Sequence, residues 1–180
     1  MKDTFILIKP DEKHLTDIRA YRQEFIDAGD EFHGDCALQH FEDPNEWLKY
    51  NRSLESHEMS DSSWIEFDQY LFIRRSDERV VGMINFRRTD DEKLADYAGE
   101  IGFSVRPSER NKGYAKAMLK SFIEKCSERG VKSAVLTCDK DNTASKRTII
   151  ACGGTFERNS ANGNYERYIL KTNARETKEE

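Results

Sequence analysis

Seven consecutive residues, Arg110-Asn111-Lys112-Gly113-Tyr114-Ala115-Lys116, place three cations and a glycine where a polar loop turns into an amphipathic helix. That combination makes an anion site. The first amides of a helix have no intrahelical partner and carry the positive end of its dipole. Gly113 lacks the Cβ that would hold a phosphate off the backbone, and Arg110, Lys112 and Lys116 add charge. A basic, solvated helix start is the alternative reading of the same residues.

The elements around this loop read as strand, helix and strand. Ile101-Gly102-Phe103-Ser104-Val105 is an apolar strand leading into the polar Arg106-Pro107-Ser108-Glu109. The helix after Gly113 carries Ala117, Met118, Phe122, Ile123 and Cys126 on one face, and Gly130 closes it. Ala134-Val135-Leu136-Thr137-Cys138 is nearly continuous in apolar residues, as a strand covered on both faces would be. The unit predicts a right-handed crossover joining two parallel strands. Asp141-Asn142-Thr143 opens a further helix through Ala151, ended by Gly153-Gly154. Residues 155–157 and 165–170 form a last hairpin across Asn162-Gly163.

The first half is less specific. Phe5-Ile6-Leu7-Ile8 is a strand stopped by Pro10, and Leu15, Ile18, Tyr21, Phe25 and Ile26 give helical spacing up to Gly29. Residues 30–41 are irregular; His33 there either touches substrate or packs locally. Asp43-Pro44 caps and starts a second helix, residues 56–63 read as a polar loop, and residues 70–73 and 80–86 form a hairpin. Residues 90–97 are a charged connection with room for one helical turn. Residues 1–171 are expected to form one domain, with 172–180 a polar, disordered tail.

At 180 residues, 37% hydrophobic and 35% charged, the chain has material for one sizeable core. No apolar run approaches the ~20 residues of a membrane span, and the apolar start is too short for a signal segment. A cytoplasmic protein is the expectation. The net charge of −5 argues against a nucleic-acid surface and suits a basic acceptor. Cys36, Cys126, Cys138 and Cys152 lack C-x-x-C spacing and read as reduced thiols; the scattered histidines predict no metal site.

Arg110-x-x-Gly113-x-Ala115 resembles the (Gln/Arg)-x-x-Gly-x-(Gly/Ala) signature of the GNAT superfamily of acyl-CoA-dependent N-acetyltransferases. Gly99-Glu100-Ile101-Gly102-Phe103-Ser104-Val105 is similar to the family's fourth strand and Val135-Leu136-Thr137-Cys138 to its fifth. Asn142-x-x-Ser145 and Gly153 resemble the helix and turn that follow. About sixty residues match in order, closest to an uncharacterised bacterial branch of predicted acetyltransferases. The resemblance implies an α/β (α+β) fold: a mixed, twisted sheet of six to seven strands, helices on both faces, and a splayed pair formed by the fourth and fifth strands. It implies acetyl-CoA as co-substrate, without a metal, and a small-molecule or protein amine as acceptor, and it leaves room for a homodimer.

By position, the resemblance places Phe103, Ser104 and Val105 along the pantetheine arm, with a strand N–H polarising the thioester carbonyl. It places Arg110, Asn111, Lys112, Gly113, Tyr114, Ala115 and Lys116 around the pyrophosphate. It places Asn142 and Ser145 on the cofactor as well; Asn142 bonds the cofactor arm, caps its helix, or does both. Glu100 matches the strand Glu that serves as general base in the histone-acetyltransferase branch; its alternatives are an arginine pair or solvent. The family's usual acid, a Tyr seven residues after Asn142, is here Ile149, so the acid is open among Ser145, Cys138, water and none. A domain that binds acyl-CoA without turnover is the competing expectation, and a small nucleotide-phosphate binder, lacking a G-x-x-x-x-G-K-[ST] run, the weaker one.

Overall fold

The computed structural model describes residues 3–56, 66–89 and 91–173. Residues 57–63 of the expected loop and 174–180 of the expected tail lie outside the described residues; Thr172, placed in that tail, instead donates its N–H to Lys132 O at 2.9 Å. Strand β1 (Phe5–Ile8) is followed by a short 3-10 turn and helix α1 (Leu15–Ala28), which ends on Gly29 at a left-handed φ of 62°. Helix α2 (Pro44–Glu55) starts as its sequence dictates, with the Asp43 side chain accepting from Asn45 N and Pro44 in the first turn. The hairpin is β2 (Glu66–Arg74) and β3 (Arg79–Arg88). The charged connection forms a full helix, α3 (Glu92–Ala98), capped by Asp91 through Lys93 N and Leu94 N. Then come β4 (Ile101–Val105), α4 (Tyr114–Glu128), β5 (Ser133–Asp139), α5 (Thr143–Ala151), β6 (Thr155–Asn159) and β7 (Tyr165–Lys171).

The strands form two open sheets, β1-β2-β3-β4 and β5-β7-β6, with antiparallel pairing within each. The strands joined by the crossover, β4 and β5, form no ladder with each other and splay apart, as the resemblance implies. The two strands meet at their start, where Glu100 N donates to Val135 O at 2.7 Å and the Glu100 carboxylate accepts from Val135 N at 2.8 Å. Beyond that point the ladder partners of each lie in its own sheet only. The expectation that β5 is covered on both faces is also corrected: Ala134, Leu136 and Cys138 are buried while Val135 and Thr137 are half-buried. One face packs on α4 and α5, and the splay leaves the other without a full cover.

Alternation along β2 and β3, shifted at Val81 by a bulge opposite Phe72 and Ile73, divides the core. Tyr70, Phe72, Val81, Ile84 and Phe86 join Ile101, Val105, Met118, Phe122 and Ile149 beneath α4 and α5. Leu71, Ile73, Val80 and Met83 face Ile18, Tyr21, Phe25 and Trp47 of α1 and α2. Helix α4 crosses β3 so closely that a Cβ on Gly82 would lie 2.8 Å from Met118 Sδ. This packing fixes the start of α4 beside the end of β4.

Candidate functional site

The splay exposes one edge of β4. Arg87 N donates to Glu100 O at one end of the β3–β4 pairing, and Arg106 N donates to Val81 O at the other. Alternation between these bonds turns Gly102 and Ser104 toward β3 and leaves the backbone groups of Phe103 and Val105 on the edge facing β5. Val105 O is taken by Arg110 Nε at 3.1 Å. Ser104 differs from its neighbours: its hydroxyl bonds the Tyr21 hydroxyl at 2.9 Å on the α1–α2 face, both side chains being buried.

Where β4 ends, a 3-10 turn at Pro107–Glu109 leads into the loop before α4. Asn111 and Gly113 hold left-handed φ values of 61° and 81°. No side chain caps α4 at Gly113, and a Cβ there would meet nothing within 4 Å. The amides of the first turn therefore face open space with the positive end of a 15-residue helix behind them. Tyr114 faces inward: its ring packs edge-on against Phe5 at 4.8 Å, and its hydroxyl donates to the Asp3 carboxylate. Half-buried Ala115 packs against the core.

The loop's cations divide into two kinds. Arg110 is braced, with its Nη1 2.6 Å from Asp30 Oδ2 and its guanidinium over the Phe25 ring. Lys112 Nζ lies 2.8 Å from Glu109. That carboxylate is only 3% exposed and also meets Arg74 at 2.8 Å and Arg79 at 3.2 Å. Burial alone would raise the Glu109 pKa, but the Arg74 and Lys112 contacts outweigh it and hold it below the usual glutamate value. Lys116 is exposed on the first turn of α4. Two of the three cations thus shape the loop, and the backbone amides with Lys116 are left to attract an anion.

Across the cleft, Asn142 caps α5, its side chain accepting from Ser145 N at 2.9 Å. Ser145 is half-buried in that first turn. Ile149, one turn on, is fully buried and packs so tightly against Gly154 that a Cβ there would collide with it. The position where the family carries its acid is therefore part of the core. Burial raises the Cys138 thiol to about 11, so it stays protonated.

Glu100 lies at the root of the splay. Arg88 Nε donates to its Oε1 at 2.9 Å and Val135 N to its Oε2 at 2.8 Å, engaging both oxygens. On the α1–α2 side, His33 is half-exposed, 3.4 Å from Glu31. Asp35, two residues on, is buried against the sheet. A single Asp in an irregular loop carries no periodic signal, and only its Gly-Asp pairing, a turn cue, marks it in the sequence. The described residues hold no group of three or more His, Cys, Asp or Glu placed to bind a metal, and no helix long and apolar enough to cross a membrane.

A family model described as the acetyltransferase (GNAT) family matches residues 30–153. Several solved structures share the fold at low identity. One is the RimL ribosomal L7/L12 alpha-N-protein acetyltransferase in complex with coenzyme A, 19% identical with a TM-score of 0.68 and 96% of each chain covered. Another is the microcin C7 self-immunity acetyltransferase MccE with acetyl-CoA and AMP, at 17% and 0.67, covering 94% of this chain and 93% of that one. A third is the spermidine N-acetyltransferase from Vibrio cholerae with CoA and spermine, at 12% and 0.62, covering 94% and 96%. No curated protein sequence matches this one.

Proposed function

The chain belongs to the GNAT acetyltransferase family, and from that premise we propose that it moves an acetyl group from acetyl-CoA to a primary amine by direct transfer. The observation that carries the reading is the juxtaposition of two unsatisfied backbone surfaces. The uncapped start of α4 suits a pyrophosphate, and the free edge of β4 suits an amide-bearing arm. Phe103 and the Val105 N–H would pair with that arm, and the amides of residues 111–116 would hold the phosphates. Phe103 N–H would polarise the thioester carbonyl as an oxyanion-hole donor. Asn142 holds the start of α5, and Ser145 is the hydroxyl assigned to the departing sulfur. Glu100 enters as the clamp that closes the root of the cleft, because both its oxygens are already engaged.

The acceptor is a small-molecule or protein amine. The neighbours named above are described as acting on a ribosomal protein or on spermidine, and the net charge of −5 favours a cationic acceptor in either class. Thermal melting with acetyl-CoA tests the cofactor assignment. At a hundred times its dissociation constant it adds about 2.7 kcal/mol, a rise of roughly 5–10 °C for a domain of this size. No rise for the folded protein would refute the reading.

A further inference from the structure

The turn between α1 and α2 breaks local rules in a small space. Gly34, Cys36 and Ala37 hold φ values of 67°, 54° and 60°, the last two without glycine's freedom. Gly34 is pressed onto β4: a Cβ on it would collide with the Gly102–Phe103 peptide, and one on Gly102 would lie 3.1 Å from Gly34 Cα. Gln69 Nε2 holds the turn from below, donating to Gly34 O at 2.9 Å. The next residue, Asp35, is 2% exposed. Its Oδ1 accepts from Leu38 N at 3.2 Å and its carbonyl accepts from Trp47 Nε1 at 2.7 Å. Its Oδ2 is buried without a hydrogen-bond partner. Folded proteins leave few such atoms unpaired. The turn does not need this one, since an Asn would keep the Leu38 bond.

We infer that Asp35 is the general base of the transfer, its free Oδ2 receiving a proton from the acceptor's primary ammonium on the α1–α2 side of β4. The inference rests on the function proposed above. The ammonium gives one proton to Oδ2, and the nitrogen lone pair forms the bond to the acetyl carbon as the carbon–sulfur bond breaks. The remaining excess proton on nitrogen leaves with the sulfur, giving the free thiol and the N-acetyl amine. The Asp35 proton passes to solvent on product release. Three titratable groups face Asp35: Arg87 from β3, Tyr21 from α1 and Cys36 from its own turn. Burial raises Asp35 to about 6 against the opposing pull of the Leu38 N–H bond and of Arg87, so it is a free base just above that pH. Burial pushes the Tyr21 hydroxyl and the Cys36 thiol up, so neither competes as an anion.

The test is Asp35→Asn, which keeps the cap and removes the base. In CoA-saturated wild type, the Asp35 carboxyl ¹³C resonance, assigned by its absence in the variant, should titrate near pH 6. With the fastest acceptor from a panel of polyamines and N-terminal peptides, kcat/KM should fall roughly 10²–10⁴-fold in the variant. Its acidic limb should vanish and the KM for acetyl-CoA should stay unchanged. A resonance flat from about pH 5 to 8, or a variant with wild-type kcat/KM and an intact acidic limb, overturns the assignment. Turnover of no amine overturns it together with the transfer reading. Melting of both proteins with acetyl-CoA reports separately on the cofactor site.

Discussion

The buried Asp35 carboxyl should leave a pH signature in stability that owes nothing to activity. Its pKa rises from 3.8 to about 6 because burial disfavours the charged form. The native state therefore binds more protons than the unfolded state between those values. The resulting stability is fully present below about pH 3.8 and is lost as pH rises through about 6. A difference of about 2 units at ~1.36 kcal/mol each corresponds to about 3 kcal/mol, of which roughly 2.5 lies between about pH 4 and 7.5. At 2% exposure, solvent screening takes little from this figure. Urea unfolding of wild type and Asp35→Asn across that range isolates it. Whatever constant offset the Asn amide adds cancels in the slope, and other titrating groups appear in both proteins. The stability of wild type minus variant should fall by about 2.5 kcal/mol as pH rises. A difference that is flat, or that rises with pH, would refute the burial argument and show that Asp35 is satisfied by a group its static surroundings do not reveal.

Five further outcomes follow from the cleft. Gly113→Val should weaken acetyl-CoA binding at least tenfold by titration calorimetry while costing about 1–2 kcal/mol of stability, since φ is 81° and nothing lies within 4 Å of a Cβ. Glu109→Gln should destabilise by about 3–5 kcal/mol in denaturant unfolding, because Arg74, Arg79 and Lys112 lose a buried partner. Glu100→Gln should cost about 1 kcal/mol and less than tenfold in turnover; a loss of about 10²–10⁴-fold at unchanged stability would make Glu100 the base after all. Ile149→Val should cost about 1 kcal/mol with near-normal turnover, whereas Ser145→Ala should lower kcat and leave acetyl-CoA affinity unchanged.

The elements were legible wherever period or punctuation marked them. Gly29, Gly113 and Gly163 end or start elements at positive φ values that few residues favour, and Asp43-Pro44 starts α2 through its cap and fixed φ. What the sequence could not show was which polar residues are buried. Arg106 and Glu109 sit in a stretch that reads as a solvated loop, yet both are buried, Arg106 against Asp17 at 2.8 Å and Glu24 at 3.4 Å. These partners are distant in sequence, so no local pattern announces them. The same holds for Arg110, whose type suggests a phosphate ligand but whose contacts with Asp30 and Val105 O make it a brace. The splay was readable only through the resemblance. An apolar run such as residues 134–138 fits a paired central strand equally well, and divergence after Glu100 is a tertiary property.

The most direct measurement follows acetyl transfer itself: thiol release from acetyl-CoA, with the acetylated amine identified by mass spectrometry, across a panel of polyamines and N-terminal peptides for wild type and Gly113→Val. Wild type should show amine-dependent release, with one acetyl group on the amine for each thiol freed, and Gly113→Val should lose that release at the same acetyl-CoA concentration. Acetyl-CoA binding by wild type with no release for any amine, or equal release by both proteins, would contradict the transfer reading.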